Sequence, residues 1–140
     1  MPRAEAYRQI VTARAGGICE YCLLVEAATG VTFHIEHVIP RSVRGPTNIG
    51  NLALSCPGCN LAKAERVMAK DSSGQLQPLF NPRRYEPWLL GWHIHFALDR
   101  QSGVVMPRSP IGEATAWALG MNDANRLFAR KLQLQAGLIG

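Results

Sequence analysis

The sequence predicts an α+β fold in which a strand–loop–strand–helix segment is stapled by four cysteines. Three observations predict it. Two cysteine pairs of equal spacing, Cys19-x-x-Cys22 and Cys56-x-x-Cys59, bracket one stretch of chain. Between them a β-branched run, Val31 to Ile39, and a short apolar run, Leu52 to Leu54, flank a segment carrying Gly45, Pro46, Asn48 and Gly50. The second pair opens on Pro57-Gly58 and continues into Ala62, Lys63, Ala64, Glu65 and Arg66, all good helix formers.

Taken in order, Pro2 to Ala15 reads as a helix. Tyr7, Ile10, Val11 and Arg14 follow the three-four spacing, and Gly16-Gly17 stops it. Cys19 to Cys22 is a tight turn. Val31 to Ile39 is a strand ended by Pro40, Arg41 to Asn51 a loop, and Leu52 to Leu54 the second strand. The helix that follows is expected to run from Pro57 to about Met68. Asp71 to Gly74 is a turn or short linker, and Pro78 to Pro87 is extended. Trp92 to Leu98 reads as a strand, Gln101 to Gly103 as a turn and Val104 to Met106 as its partner. Gly112 to Leu119 and Asn122 to Ala136 are helices separated by Gly120. The expected organisation is residues 1–70 as an N-terminal helix and metal-bound core, and 71–140 as an extension packed on it, a hairpin plus helices. Trp88, Trp92 and Trp117 are assigned to the core.

With 140 residues and 47% hydrophobic content, the composition is that of a globular chain. A mean hydropathy of -0.03 and no long apolar run exclude a helical membrane span. Met1 to Gly17 carries Arg3, Glu5, Arg8 and Arg14 and lacks an apolar core, so it does not read as an export signal. The expected location is the cytoplasm, a reducing compartment where paired cysteines favour metal over disulfides. Net charge is +5. Its excess lies between residues 41 and 84, where Arg41, Arg44, Lys63, Arg66, Lys70, Arg83 and Arg84 face only Glu65 and Asp71. Such a segment fits a polyanionic partner, with nucleic acid the leading candidate.

Two C-x2-C pairs give four thiolates, the ligand set of a closed tetrahedral zinc site with no open position for catalysis. Cys19, Cys22, Cys56 and Cys59 are therefore assigned to one structural Zn2+. A second set of groups lies in the same segment. Strand alternation puts His34 and Glu36 on one face and His37 on the other. Asn60 follows Cys59 in the first helical turn, with Lys63 on its face at i+3. A bound zinc ties the two cysteine turns together and can bring Asn60 near Glu36. A carboxylate and an amide oxygen suit a hard ion, Mg2+ or Mn2+, and the neighbouring imidazole of His37 can take a proton from water. These are the parts of a metal-assisted phosphodiesterase.

At these residues the chain resembles the HNH endonuclease family, with its ββα-metal (His-Me finger) fold. The matching stretches are Cys19-Glu20-Tyr21-Cys22, Glu36-His37-Val38-Ile39-Pro40, Asn51-Leu52 and Cys56-Pro57-Gly58-Cys59-Asn60 with Lys63. The resemblance implies that His37 is the general base, that Glu36 and Asn60 hold the catalytic divalent ion, and that Asn51 tethers the loop so that the base is aimed. It also implies products with a 5′-phosphate and a 3′-hydroxyl. Two departures stand out: Arg44-Gly45-Pro46 replaces the frequent Gly-Gly pair, and Glu36 replaces the commoner Asp. Phe80-Asn81-Pro82-Arg83 and His95-Phe96 resemble extensions in one bacterial branch of the family. Arg41, Lys63 and His34 are candidate contacts to substrate phosphate. His93 and His95 are expected to pack or hydrogen-bond. The expected partner is DNA, with RNA the alternative substrate, and the protein is expected to be a monomer or homodimer. The rival reading is a zinc-dependent nucleic-acid-binding module without catalysis, which needs the cysteines but not Glu36, His37 and Asn60.

Overall fold

The computed structural model describes residues 3–140, so the expected helix start at Pro2 lies outside the described residues. A 3₁₀ turn at Ala4–Tyr7 leads into α1, Arg8–Ala15, which closes where Gly16 and Gly17 donate to the carbonyls of Ala13 and Thr12. Val11 and Ala15 form its buried face, an i, i+4 pair. Ile10 instead looks outward at 55% exposure.

The first strand, β1, spans His34–His37 and pairs antiparallel with β2, Leu52–Ser55, with Glu36 opposite Ala53 and His37 opposite Leu52. It is shorter than the β-branched run. The Phe33 N–H is taken by the Glu26 carboxylate rather than by a partner strand, and Val31 is exposed. The connecting segment carries 3₁₀ turns at Arg41–Val43 and Ile49–Asn51. Helix α2, Pro57–Lys63, starts on Cys56, whose Sγ accepts the Cys59 N–H. It stops well before Met68, because Ala64 adopts φ 47° and the chain turns. Met68–Lys70 is instead β3, paired with β4, Leu76–Pro78, around the Asp71–Gly74 turn. Helix propensity loses there to pairing and to burial of Ala69 beneath α4, Pro110–Ala118.

The largest departure is α3, Trp88–His95, a helix where a strand is expected from Trp92. Trp88, Trp92 and His95 are all buried, at helical spacing. Only Phe96–Leu98 is strand, β5, and it pairs with β6, Val105–Pro107. Ser109 caps α4 by accepting the Gly112 N–H at 2.9 Å, and α5 spans Ala124–Gln135. Trp117 is 78% exposed and takes no part in the core.

The result is α+β, with helices around small two-stranded antiparallel sheets. One continuous buried cluster draws on both halves of the chain. Trp92, Phe96 and Phe80 pack together, and the Phe80 ring meets the Tyr21 ring edge-on at 6.5 Å. The Trp92 indole N–H donates to the Tyr21 carbonyl at 2.8 Å, so the later half is anchored on the first cysteine turn. Along the side of β2 away from β1, the Leu52 carbonyl accepts from Arg14 and Arg83. There Leu54 donates its N–H to the Glu20 carboxylate and accepts the Glu20 N–H at its carbonyl. Among the described residues, no helix is long and apolar enough to cross a membrane.

Candidate functional site

The cysteine turns meet where α2 begins. The four Sγ atoms of Cys19, Cys22, Cys56 and Cys59 lie within 4.8 Å of one another, all buried. In each pair the later cysteine's N–H points at the earlier Sγ, at 3.5 Å for Cys22 and 3.4 Å for Cys59. Burial pushes the Cys19 and Cys59 thiols up, while hydrogen bonds from the other three pull Cys56 below the ordinary thiol range. Four sulfurs this close, with backbone donors in place, fit a structural zinc, which takes all four as thiolates.

The turn between Cys19 and Cys22 does more than present sulfur. Glu20 is fully buried, bonded to β2 and paired with Arg83. Tyr21, also fully buried, sends its hydroxyl to Glu36 Oε1 at 2.9 Å. The Lys63 ammonium stands 3.4 Å from the same oxygen. The other oxygen, Glu36 Oε2, is buried and has no hydrogen-bond partner. Burial raises the Glu36 carboxyl to about 7, against the pull of Lys63 and the Tyr21 hydroxyl. A buried carboxylate oxygen without a donor is a place where a cation would be welcome.

Lys63 is 2% exposed, and its ammonium donates to the Val38 carbonyl at 2.9 Å and the His37 carbonyl at 3.4 Å. It therefore braces the end of β1 from beneath, with its charge turned inward. Arg83 is likewise turned inward, onto Glu20. The basic surface is accordingly smaller than the count of basic residues between 41 and 84 suggests.

His37 lies on the other face of β1, half-buried, with Nε2 2.8 Å from Thr47 Oγ1. Burial lowers its pKa, and the charges of Arg41 and Lys63 lower it further. It lines a cleft of about 780 Å³ with Arg3, Arg41, Arg44 and Thr47. The cleft wall is held by Asn51, only 6% exposed. Its Oδ1 accepts the Ile39 N–H, and its Nδ2 donates to the Ile39 and Pro46 carbonyls, all within 3.0 Å. Gly45 is required beside it, since a Cβ there would meet the Ile39 carbonyl oxygen at 1.7 Å. Asn51→Ala strips three bonds from a buried site and is expected to cost about 2–3 kcal/mol. Denaturant unfolding measures this; an unchanged midpoint would show that the loop is held by other means.

Asn60 sits half-buried on α2, one turn before Lys63 and on the same face. Its side-chain amide has no hydrogen-bond partner among the described residues. His34 is exposed at the start of β1. His93 is exposed; His95 is bonded to the Tyr85 hydroxyl at Nε2 and the Ser109 hydroxyl at Nδ1.

The paired cysteine turns, the antiparallel β1–β2 hairpin and α2 on the second turn form one unit. Residues 19–66 match the family model described as HNH endonuclease. Neither a curated protein nor a solved structure matches the chain. The matched segment, residues 19–66, suggests a nuclease-type or nucleic-acid-related function, and it holds every residue singled out in the sequence as catalytic, metal-binding or substrate-binding. Sequence reasoning assigned no role to Tyr21 and Thr47 within that segment, or to Arg3, Arg126 and Arg130 outside it. Only Tyr21 carried a local signal, because it lies between two metal ligands. Thr47 meets His37 across the connecting loop, and the three arginines come in from distant parts of the chain.

Proposed function

We propose that the chain is a metal-dependent endonuclease that hydrolyses DNA phosphodiester bonds. The supporting observation is Glu36: a carboxylate fixed through one oxygen by Tyr21 and Lys63, with its other oxygen buried and unpartnered, next in sequence to a histidine that opens on an arginine-lined cleft. Glu36 and Asn60 would hold a divalent ion, Mg2+ or Mn2+, which would supply Lewis-acid stabilisation of charge on the phosphate and leaving oxygen. Asn60 fits this role because Lys63, on the same face of α2, already reaches Glu36.

His37 acts as general base. In the tautomer whose Nε2–H donates to the Thr47 hydroxyl, 2.8 Å away, Nδ1 carries the lone pair that would take a proton from the attacking water. Lys63 and Asn51 fix the backbone at His37 and through the two residues after it. Arg41, which lines the same cleft as His37, would hold the scissile phosphate, and the exposed His34 would touch the strand beyond. The cysteine-held zinc takes no part in the chemistry.

The test is nicking of supercoiled plasmid in Mg2+, Mn2+ or EDTA, with zinc counted in each sample and structured RNA supplied in parallel. Nicking that needs the divalent ion supports the reading; no cleavage of either substrate rejects it, and cleavage of RNA alone moves the substrate to RNA. The pH profile adds a second check. A base works only when neutral, and His37 is shifted down, so full activity persists as pH falls and is lost only through the lowered value. The acid limb is expected to have its midpoint below about 6.5, the ordinary histidine value. The Glu36 carboxyl, raised to about 7, must also be ionised to take the ion, so the profile is read at saturating divalent ion; a midpoint above the ordinary histidine value there would take His37 out of the mechanism.

A further inference from the structure

We infer that Arg126, far outside the HNH segment, is a working part of the zinc centre and shields the Cys59 thiolate. A zinc held by four thiolates carries a net charge of about −2, and a buried charge needs compensation from its surroundings. Here the four sulfurs are at most 2% exposed. The last helix supplies the compensation. Arg126 Nη1 lies 3.1 Å from Cys59 Sγ, donating to the sulfur, and Nη2 is pinned by the Asp123 carboxylate at 3.3 Å.

The slot for this guanidinium is built into the second cysteine turn. Gly58 lies between the two ligands, and a Cβ there would meet Arg126 Nε at 2.8 Å. One helical turn further on, Arg130 reaches the other cysteine turn. It is fully buried and donates to the carbonyls of Cys22, Met121 and Gly103. Thus α5 clamps both turns, with Arg130 on the backbone of the first and Arg126 on a ligand sulfur of the second.

A hydrogen bond from a cation draws electron density from a thiolate and makes it a poorer nucleophile and a harder target for electrophiles. Arg126 therefore keeps Cys59 bound to zinc and slow to react, and the zinc centre is complete only with α5 in place.

The experiment uses the full chain, zinc-loaded, with Arg126→Lys, Arg126→Gln and Arg126→Ala. Zinc release under N-ethylmaleimide is followed with a chromogenic chelator. A cobalt-substituted sample of each is read for its sulfur-to-metal charge-transfer band. The Gln and Ala variants are expected to release zinc on the order of tenfold faster, with Lys between them and wild type. The cobalt band is expected to move to longer wavelength in Gln and Ala, because an unshielded thiolate gives up charge more easily. Unchanged release would overturn the assignment. So would faster release with an unmoved cobalt band, since Arg126 would then only fasten the helix. Should the Ala variant fail to fold, Lys and Gln still decide between these results.

Discussion

His37→Ala is expected to slow plasmid nicking by about a hundredfold to ten-thousandfold, the usual worth of a positioned general base. The fold and zinc content should survive. The imidazole's single side-chain hydrogen bond is to Thr47, and it lies half-exposed at the cleft rather than in the core. The brace beneath it also survives, because Lys63 grips the His37 and Val38 carbonyls, which the substitution leaves in place. The space vacated opens on a cleft of about 780 Å³, wide enough to admit free imidazole, so partial rescue by added imidazole is expected. Nicking is read beside a zinc count and a circular dichroism spectrum. Undiminished nicking with intact fold would mean that another group activates the water, and the proposed chemistry would have to be rebuilt around it.

Cys56→Ser should have the largest effect on the fold. Cys56 supplies one sulfur to the cluster, lies 3.6 Å from Cys22 Sγ, and caps α2 by accepting the Cys59 N–H. Structural zinc contributes on the order of 10 kcal/mol of apparent binding free energy in small zinc units, and that energy is folding energy. The variant should lose zinc and the cooperative thermal transition together. The Tyr21 hydroxyl on Glu36 and the start of α2 should go with it, since both hang on the cysteine turns. The measurement is a melting curve with parallel metal analysis. A cooperative, wild-type-like melt in a zinc-free Cys56→Ser protein would show that the aromatic cluster alone holds the chain.

Much of this arrangement was legible from local signals. The cysteine spacing, the hairpin between the pairs, the turn at Gln101 to Gly103 and the two last helices each rest on neighbours in sequence. Where the reading failed, a long-range contact decided. The run from Trp92 to Leu98 is short and apolar, and such runs fit strand or helix equally well. Burial of Trp88, Trp92 and His95 on one face settled it as helix. Good helix formers after Lys63 gave way to a hairpin, because Ala69 is buried against α4. At the site, Glu36 and Lys63 were visible as residues, but their pairing and the inward direction of the lysine charge were not. Arg126 and Arg130 were invisible for the same reason. Nothing in the local sequence of α5 marks an arginine whose partner is a sulfur from the other half of the chain.

The side of β2 that faces away from β1 has one further consequence. A strand with a free flank ordinarily offers its N–H and C=O groups to any passing chain, which is the usual route to strand addition and aggregation. Here Arg14 and Arg83 occupy the Leu52 carbonyl, and Glu20 occupies both polar groups of Leu54. The Arg14, Arg83 and Glu20 side chains and the Glu20 N–H thus cover most of the ladder groups on that flank of the hairpin bearing Glu36 and His37. Addition of a further strand at that flank is thereby disfavoured.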